Sequence, residues 1–131
     1  SAPEIDFIRP HFPQDGVCGR FRQLAARYGF IQRYRRHKEP LTGIAEEPWH
    51  FRYVGVPHAS LMEENDLCLE EYRDFVRENR PVCRLENGQT AQVTYLPCPQ
   101  EPTDITLPDG RCQLSGDNVA GFFLTVWRDT P

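Results

Sequence analysis

The stretch EEPWHFRYVG, residues 46–55, decides how this chain is read. From Trp49 to Val54 the residues are aromatic or β-branched in alternation with polar ones, which predicts a β-strand. On an ideal strand His50, Arg52 and Val54 share one face, and Trp49, Phe51 and Tyr53 share the other. Glu47 and His50 then point to opposite faces. Pro48 fixes its own φ and restricts the residue before it, so Glu47 is expected on the entering loop, from which its carboxylate bends back toward His50. The plainer alternative is a strand edge with a packed Trp49 and a hydrogen-bonded structural His50.

A neutral imidazole is a common zinc ligand. Zinc acidifies its bound water, and a nearby carboxylate that does not bind the metal takes the water proton and delivers it to a leaving amine. Glu47 and His50 are therefore candidates for base and ligand. Trp49 between them is a candidate site wall.

Working outward, GVCGRFRQLAARYGF places Val17, Phe21, Leu24, Ala25 and Tyr28 at helical spacing, with Asp15 as N-cap and Gly29 as stop. FIQRY, 30–34, reads as a short strand, and RRHKEPLTG as a polar connection. HASLMEENDL and LEEYRDFVRENR read as two short helices, the second carrying Leu69, Tyr72 and Phe75 or Val76 on one face. After Pro81 the texture turns β-rich. A hairpin is expected around Asn87-Gly88, a second around Asp109-Gly110, and a closing apolar strand in VAGFFLTVWR. The expectation is an α+β fold on a small antiparallel sheet with flanking helices. The strand of His50 is expected at or near its centre. The domain division expected is 1–81, with a β-rich C-terminal extension, 82–131, packed on it.

The bulk numbers narrow the function classes. A length of 131 residues suits one domain, and a net charge of −4 argues against a nucleic-acid partner. The RYRRHK run, 33–38, reads as a solvated loop, and His11, His37 and His58 as surface or turn residues. No apolar run approaches the roughly 20 residues of a membrane span. Of the five cysteines, Cys18 and Cys68 read as small buried hydrophobes, whereas Cys98 and Cys112 are close enough in sequence for a disulfide across a β-loop to stay open.

EPWHFRYVG followed by PHASLMEEN resembles the VanY and VanXY D-alanyl-D-alanine carboxypeptidases, of the LAS group of zinc peptidases. IDFIRPHFPQDGVCGRFRQLAARYGFIQRY, KEPLTGIAEEPWHFRYVG and LEEYRDF resemble that family in the same order. The tail SGDNVAGFFLTVWR is similar to the C-terminal part of some members. The resemblance implies a LAS/hedgehog-like peptidase fold, zinc as cofactor, Glu47 as general base, His50 as a zinc ligand and Trp49 as a substrate-side wall. It implies hydrolysis of the terminal D-Ala of peptidoglycan peptides ending in D-Ala-D-Ala, with or without dipeptidase activity.

The family's other motif, Ser-x-His-x-x-Gly-x-Ala-x-Asp, carries the other two zinc ligands and does not occur in these residues. The string IDFIRP, which follows it in relatives, begins here at Ile5. The expectation is a C-terminal portion, inactive alone, whose other ligands lie upstream of Ser1 or on another chain. Glu46 departs from relatives that carry histidine there and receives no role. The competing expectation is a non-catalytic wall-peptide-binding or interaction domain that has lost the metal site. The location implied is extracytoplasmic, at a bacterial cell envelope, with the cytoplasm as the alternative.

Overall fold

A computed structural model of the chain describes residues 8–130, so Ile5, Asp6 and Phe7 of the IDFIRP string lie outside the described residues. Helices and antiparallel strands are both present, with four strands in succession after the last helix, as the α+β expectation required. The chain forms two compact units, Ser1–Glu70 and Glu71–Pro131. The division thus falls before most of the helix Leu69–Asn79, whereas the texture of the sequence had placed it after Pro81.

In the first unit, α1 (Gly16–Leu24) runs into a 3-10 turn, Ala25–Tyr28, and stops at Gly29. Gly29 has φ +86°, and its N–H caps Ala25 and Ala26 carbonyls. A Cβ there would stand 2.7 Å from the Tyr53 ring and 3.0 Å from the Gly55 carbonyl carbon, so both the backbone angle and the close approach require glycine. Asp15 stands at the N-cap position in extended conformation without a side-chain cap bond.

The face expected of this helix is buried only in part, at Ala25. Val17 and Tyr28 are 84% and 65% exposed, while Gly19, Ala25 and Ala26 are buried. The tightening to 3-10 geometry at Ala25 rotates later residues away from the 3.6-residue stripe, and small residues take the close contacts. Phe21 remains a packing residue, meeting Phe51 edge-on at 4.8 Å and Phe12 at 6.2 Å.

The strands β1 (Phe30–Tyr34) and β2 (Glu47–Tyr53) form an antiparallel two-stranded sheet. Among the described residues the sheet has two strands, so β2 is an edge strand rather than one at or near the centre of a larger sheet. The short helix α2 (Glu39–Thr42) lies in the connection. The helix α3 (Val56–Glu64) starts with Pro57 in its first turn, where a missing N–H costs nothing. Ile31, Ala59, Leu61, Met62 and Cys68 form the buried core of this unit. Full burial of each large aliphatic side chain contributes about 1.5–3 kcal/mol. His58, expected at the surface or in a turn, is also buried, within α3.

In the second unit, α4 (Leu69–Asn79) buries Tyr72 and Val76, the face its spacing predicted. The strands β3 (Val82–Arg84), β4 (Gln89–Pro97), β5 (Cys112–Gly116) and β6 (Gly121–Asp129) form an antiparallel sheet in the order β3-β4-β6-β5. Ala91, Val93 and Tyr95 alternate inward along β4. Phe123 on β6 meets Tyr72 at 5.3 Å and Tyr95 at 5.5 Å.

The hairpin at Asn87-Gly88 forms as expected, but the one at Asp109-Gly110 does not. Residues 102–108 form no strand, and β5 pairs with β6 instead. The turn that decides this is at Asp117, whose Oδ1 accepts N–H bonds from Val119, Ala120 and Gly121 at 2.8, 2.8 and 3.0 Å. The same sheet excludes a Cys98–Cys112 disulfide. Cys98 bonds to Ala120 at one end of β6, and Cys112 lies opposite Val126 near the other. At about 3.3 Å per residue that separation is far beyond the Cβ spacing of a disulfide, and no disulfide joins any of the five cysteines among the described residues.

Candidate active site

Glu47 belongs to β2 itself rather than to a loop before it. The pairing of β1 with β2 is regular at Phe30–Tyr53, Ile31–Arg52 and Gln32–Phe51, then resumes at Tyr34–Glu47. Between the last two pairs, β1 has Arg33 alone, while β2 has Pro48, Trp49 and His50. Such an irregularity bends the bulged strand and leaves residues unpaired, which suits a proline without an N–H.

The bend cancels the strand alternation that would otherwise separate residues three apart. Glu47 Oε2 and His50 Nδ1 lie 2.8 Å apart. An ionised carboxylate only accepts, so Nδ1–H is the donor and Nε2 keeps its lone pair. This is also the pairing that orients a metal-binding histidine. Tyr34, opposite Glu47, presents its ring edge-on to the imidazole at 5.4 Å. The side chains of His50 and Glu47 are 43% and 29% exposed, so an incoming ligand reaches both.

Trp49 lines an open cleft with Arg9, Phe12, Pro13, Arg36 and Pro48. Glu47 and His50 do not line that cleft; Trp49 and Pro48 connect it to them along the strand. Glu46 accepts from Arg36 Nη2 at 3.0 Å, an exposed pair of little energetic weight. The RYRRHK run is engaged in ion pairs rather than forming an anion surface: Arg33 bonds to Glu70 at 2.6 Å, and Arg35 and His37 bond to Asp66 at 3.3 and 3.0 Å.

Among the described residues no group of three or more His, Cys, Asp or Glu side chains is arranged to hold a metal. His50 supplies one nitrogen and Glu47 one adjoining carboxylate, whereas a catalytic zinc takes three protein ligands. The described residues therefore do not by themselves compose a zinc site.

Tyr34, Arg22 and Gln32 also belong to this neighbourhood and had no signal in local spacing. They meet β2 only through strand pairing and helix packing.

Residues 3–56 match the family VanY, described as D-alanyl-D-alanine carboxypeptidase. The chain resembles the VanY and VanXY peptidases in sequence and fold. It is 41% identical over 103 residues to a D-alanyl-D-alanine carboxypeptidase of Enterococcus faecium, an alignment covering 79% of this chain and 34% of that one. It is 45% identical over 73 residues to the bifunctional D-Ala-D-Ala dipeptidase and carboxypeptidase VanXYC of Enterococcus gallinarum, covering 56% and 38% of the two. The fold superposes on the crystal structure of the vancomycin resistance D,D-dipeptidase VanXYg in complex with a D-Ala-D-Ala phosphinate analogue, with a TM-score of 0.88 and 46% identity, over 98% of this chain and 53% of that one. This VanY-like chain thus spans about half the length of the solved relative and about a third of the curated ones.

Proposed function

We propose that this VanY-like chain is part of a zinc-dependent D-alanyl-D-alanine carboxypeptidase or dipeptidase that hydrolyses the terminal D-Ala of peptidoglycan stem peptides at the bacterial cell envelope. The observation that carries the reading is the Glu47–His50 contact on a bulged strand. It occurs in a chain whose fold superposes on a D,D-dipeptidase bound to a D-Ala-D-Ala analogue.

In this reading His50 is one zinc ligand and the others come from outside the described residues. The chemistry a zinc ion supplies at such a site is a water acidified to a pKa near 7. The chain's own part is proton handling. Glu47 takes the proton of the attacking water as oxygen bonds to the scissile carbonyl carbon, and returns it to the departing amine of D-Ala as the C–N bond breaks. For this the carboxylate leaves its bond to Nδ1, a movement that its 29% exposure permits. Trp49 walls the peptide side of the strand.

The test uses the protein as its gene encodes it in full. Release of free D-Ala from a peptide ending in D-Ala-D-Ala is measured beside zinc content by elemental analysis. Stoichiometric zinc with D-Ala release is expected. A metal-free protein that binds the peptide and leaves it intact would instead establish a wall-peptide-binding module.

A further inference from the structure

The bulge that brings Glu47 to His50 is a weak point in the fold. Backbone pairing lapses across Pro48, Trp49 and His50. A one-residue slip there would turn each side chain to the opposite face. Something other than the ladder must therefore fix the register.

Two side chains meet that requirement. Gln32 sits at the last regular pair before the shift, and its Nε2 donates to the Tyr34 carbonyl at 3.0 Å, reaching over Arg33. Arg22, from α1, donates through Nη1 to Gln32 Oε1 at 2.5 Å and through Nη2 to the Pro48 carbonyl at 3.4 Å. The first bond is short and the second long, but they run from one guanidinium to both strands. The guanidinium lies 5.2 Å from the Phe12 ring centre and 5.9 Å from that of Phe51. Its Nε is buried and meets no acceptor among the described residues, so its bonding falls to the two terminal nitrogens. A lysine ammonium lacks the planar fork needed to hold both acceptors in fixed directions.

We propose that Arg22 and Gln32 are positioning residues: they clamp the register shift between β1 and β2 and thereby hold Glu47 and His50 together. Neither side chain bonds to Glu47 or His50. Both act through the backbone of Tyr34 and Pro48. The catalytic consequence rests on the function proposed above; the structural one does not.

The test has two arms. In the first, the 131-residue chain is isotopically labelled, and the cross-strand NOE between Tyr34 and Glu47 is compared with that between Ile31 and Arg52, which lies in the regular part of the same sheet. Arg22→Lys keeps the charge and loses the fork. Gln32→Glu keeps the acceptor for Arg22 and loses the donor to Tyr34. Gln23→Glu, on the exposed side of α1, controls for the added charge. The expected result is loss of the Tyr34–Glu47 NOE in both site variants, with the Ile31–Arg52 NOE and the melting temperature retained. The proposal is overturned if the Tyr34–Glu47 NOE survives in both. It is equally overturned if both NOEs vanish together, which would mark an ordinary contribution to folding.

In the second arm, the protein encoded by the full gene is assayed for D-Ala release. The expected result is a fall in kcat of about 10–100-fold, the size of a misplacement effect, with KM changed by less than about threefold. An unchanged kcat in variants that have lost the Tyr34–Glu47 NOE would overturn the catalytic half. A wild-type protein that releases no D-Ala would count against the proposed function and leave the first arm to decide the clamp.

Discussion

His50 Nδ1–H donates to a partner only three residues away on its own strand, Glu47 Oε2 at 2.8 Å, although regular alternation would put the two on opposite faces. The contact exists because β2 sets three residues against one of β1. Its chemistry and its geometry have one origin, and the two side chains can be separated by substitution.

Glu47→Gln preserves size and an acceptor for Nδ1–H but removes basicity. Turnover of the full-length protein is expected to fall by roughly 10²–10⁴-fold, with zinc content little changed. His50→Ala is expected to lose zinc and activity together. D-Ala release and elemental analysis on the same samples distinguish the two. Near-normal turnover in the zinc-bound Glu47→Gln protein would leave Glu47 as an orienting partner of the imidazole and no more.

His58 gives the first unit a pH dependence. Burial pushes its imidazole down to about 4 from an ordinary value near 6.5. The unfolded chain binds the proton more readily, so the stabilisation is complete above pH 6.5 and declines as pH falls toward 4. The loss amounts to about 3 kcal/mol across that window. Denaturation followed by Trp49 fluorescence, in a Trp127→Phe background, is expected to show this decline, and His58→Gln to flatten it.

Much of the fold was legible because the signals were local. Asn87-Gly88 announced its hairpin, Gly29 its helix stop, and Tyr72 and Val76 a buried face. The misreadings share a cause. His58 was read as a surface or turn residue, but it is buried within α3, against neighbours distant in sequence. Asp109-Gly110 had the dipeptide of a hairpin, but β5 found its partner in β6. Glu47 and His50 were legible as a pair by residue type, whereas the reason they meet was not: the register shift is a property of two strands 13 or more residues apart. Arg22 and Gln32 were invisible for the same reason.

Two of the positive-φ glycines of the first unit, Gly29 and Gly43, are expected to respond differently to alanine. Gly43 has φ +74° with nothing within 4 Å of a Cβ, so Gly43→Ala costs only backbone strain, about 1–2 kcal/mol. At Gly29 the same strain is joined by the 2.7 Å approach of the Tyr53 ring, so Gly29→Ala costs more. Urea denaturation of both variants checks the order; equal losses would mean that Tyr53, 63% exposed, swings aside freely.

The second unit carries its own acid limit at Asp117. Partial burial alone would raise the carboxyl's pKa, but the N–H groups of Gly121, Val119 and Ala120, with the Tyr95 hydroxyl, outweigh it and hold the group well below the usual carboxylate range. The folded pKa lies below the unfolded one. The stabilisation is therefore present above about pH 4 and is lost as pH falls further. This window lies below that of His58, so the two units are expected to weaken in sequence on acidification, the first unit first. Asp117→Ala removes the acceptor of three turn amides at once. By analogy with the loss of a helix cap it is expected to cost about 1–2 kcal/mol, measured by Trp127 fluorescence in a Trp49→Phe background. Asp117→Asn keeps one carbonyl acceptor and loses the charge, so it should retain part of the stability and abolish the acid dependence below pH 4. An Asp117→Asn protein that still weakened there would place the titrating group elsewhere in the unit.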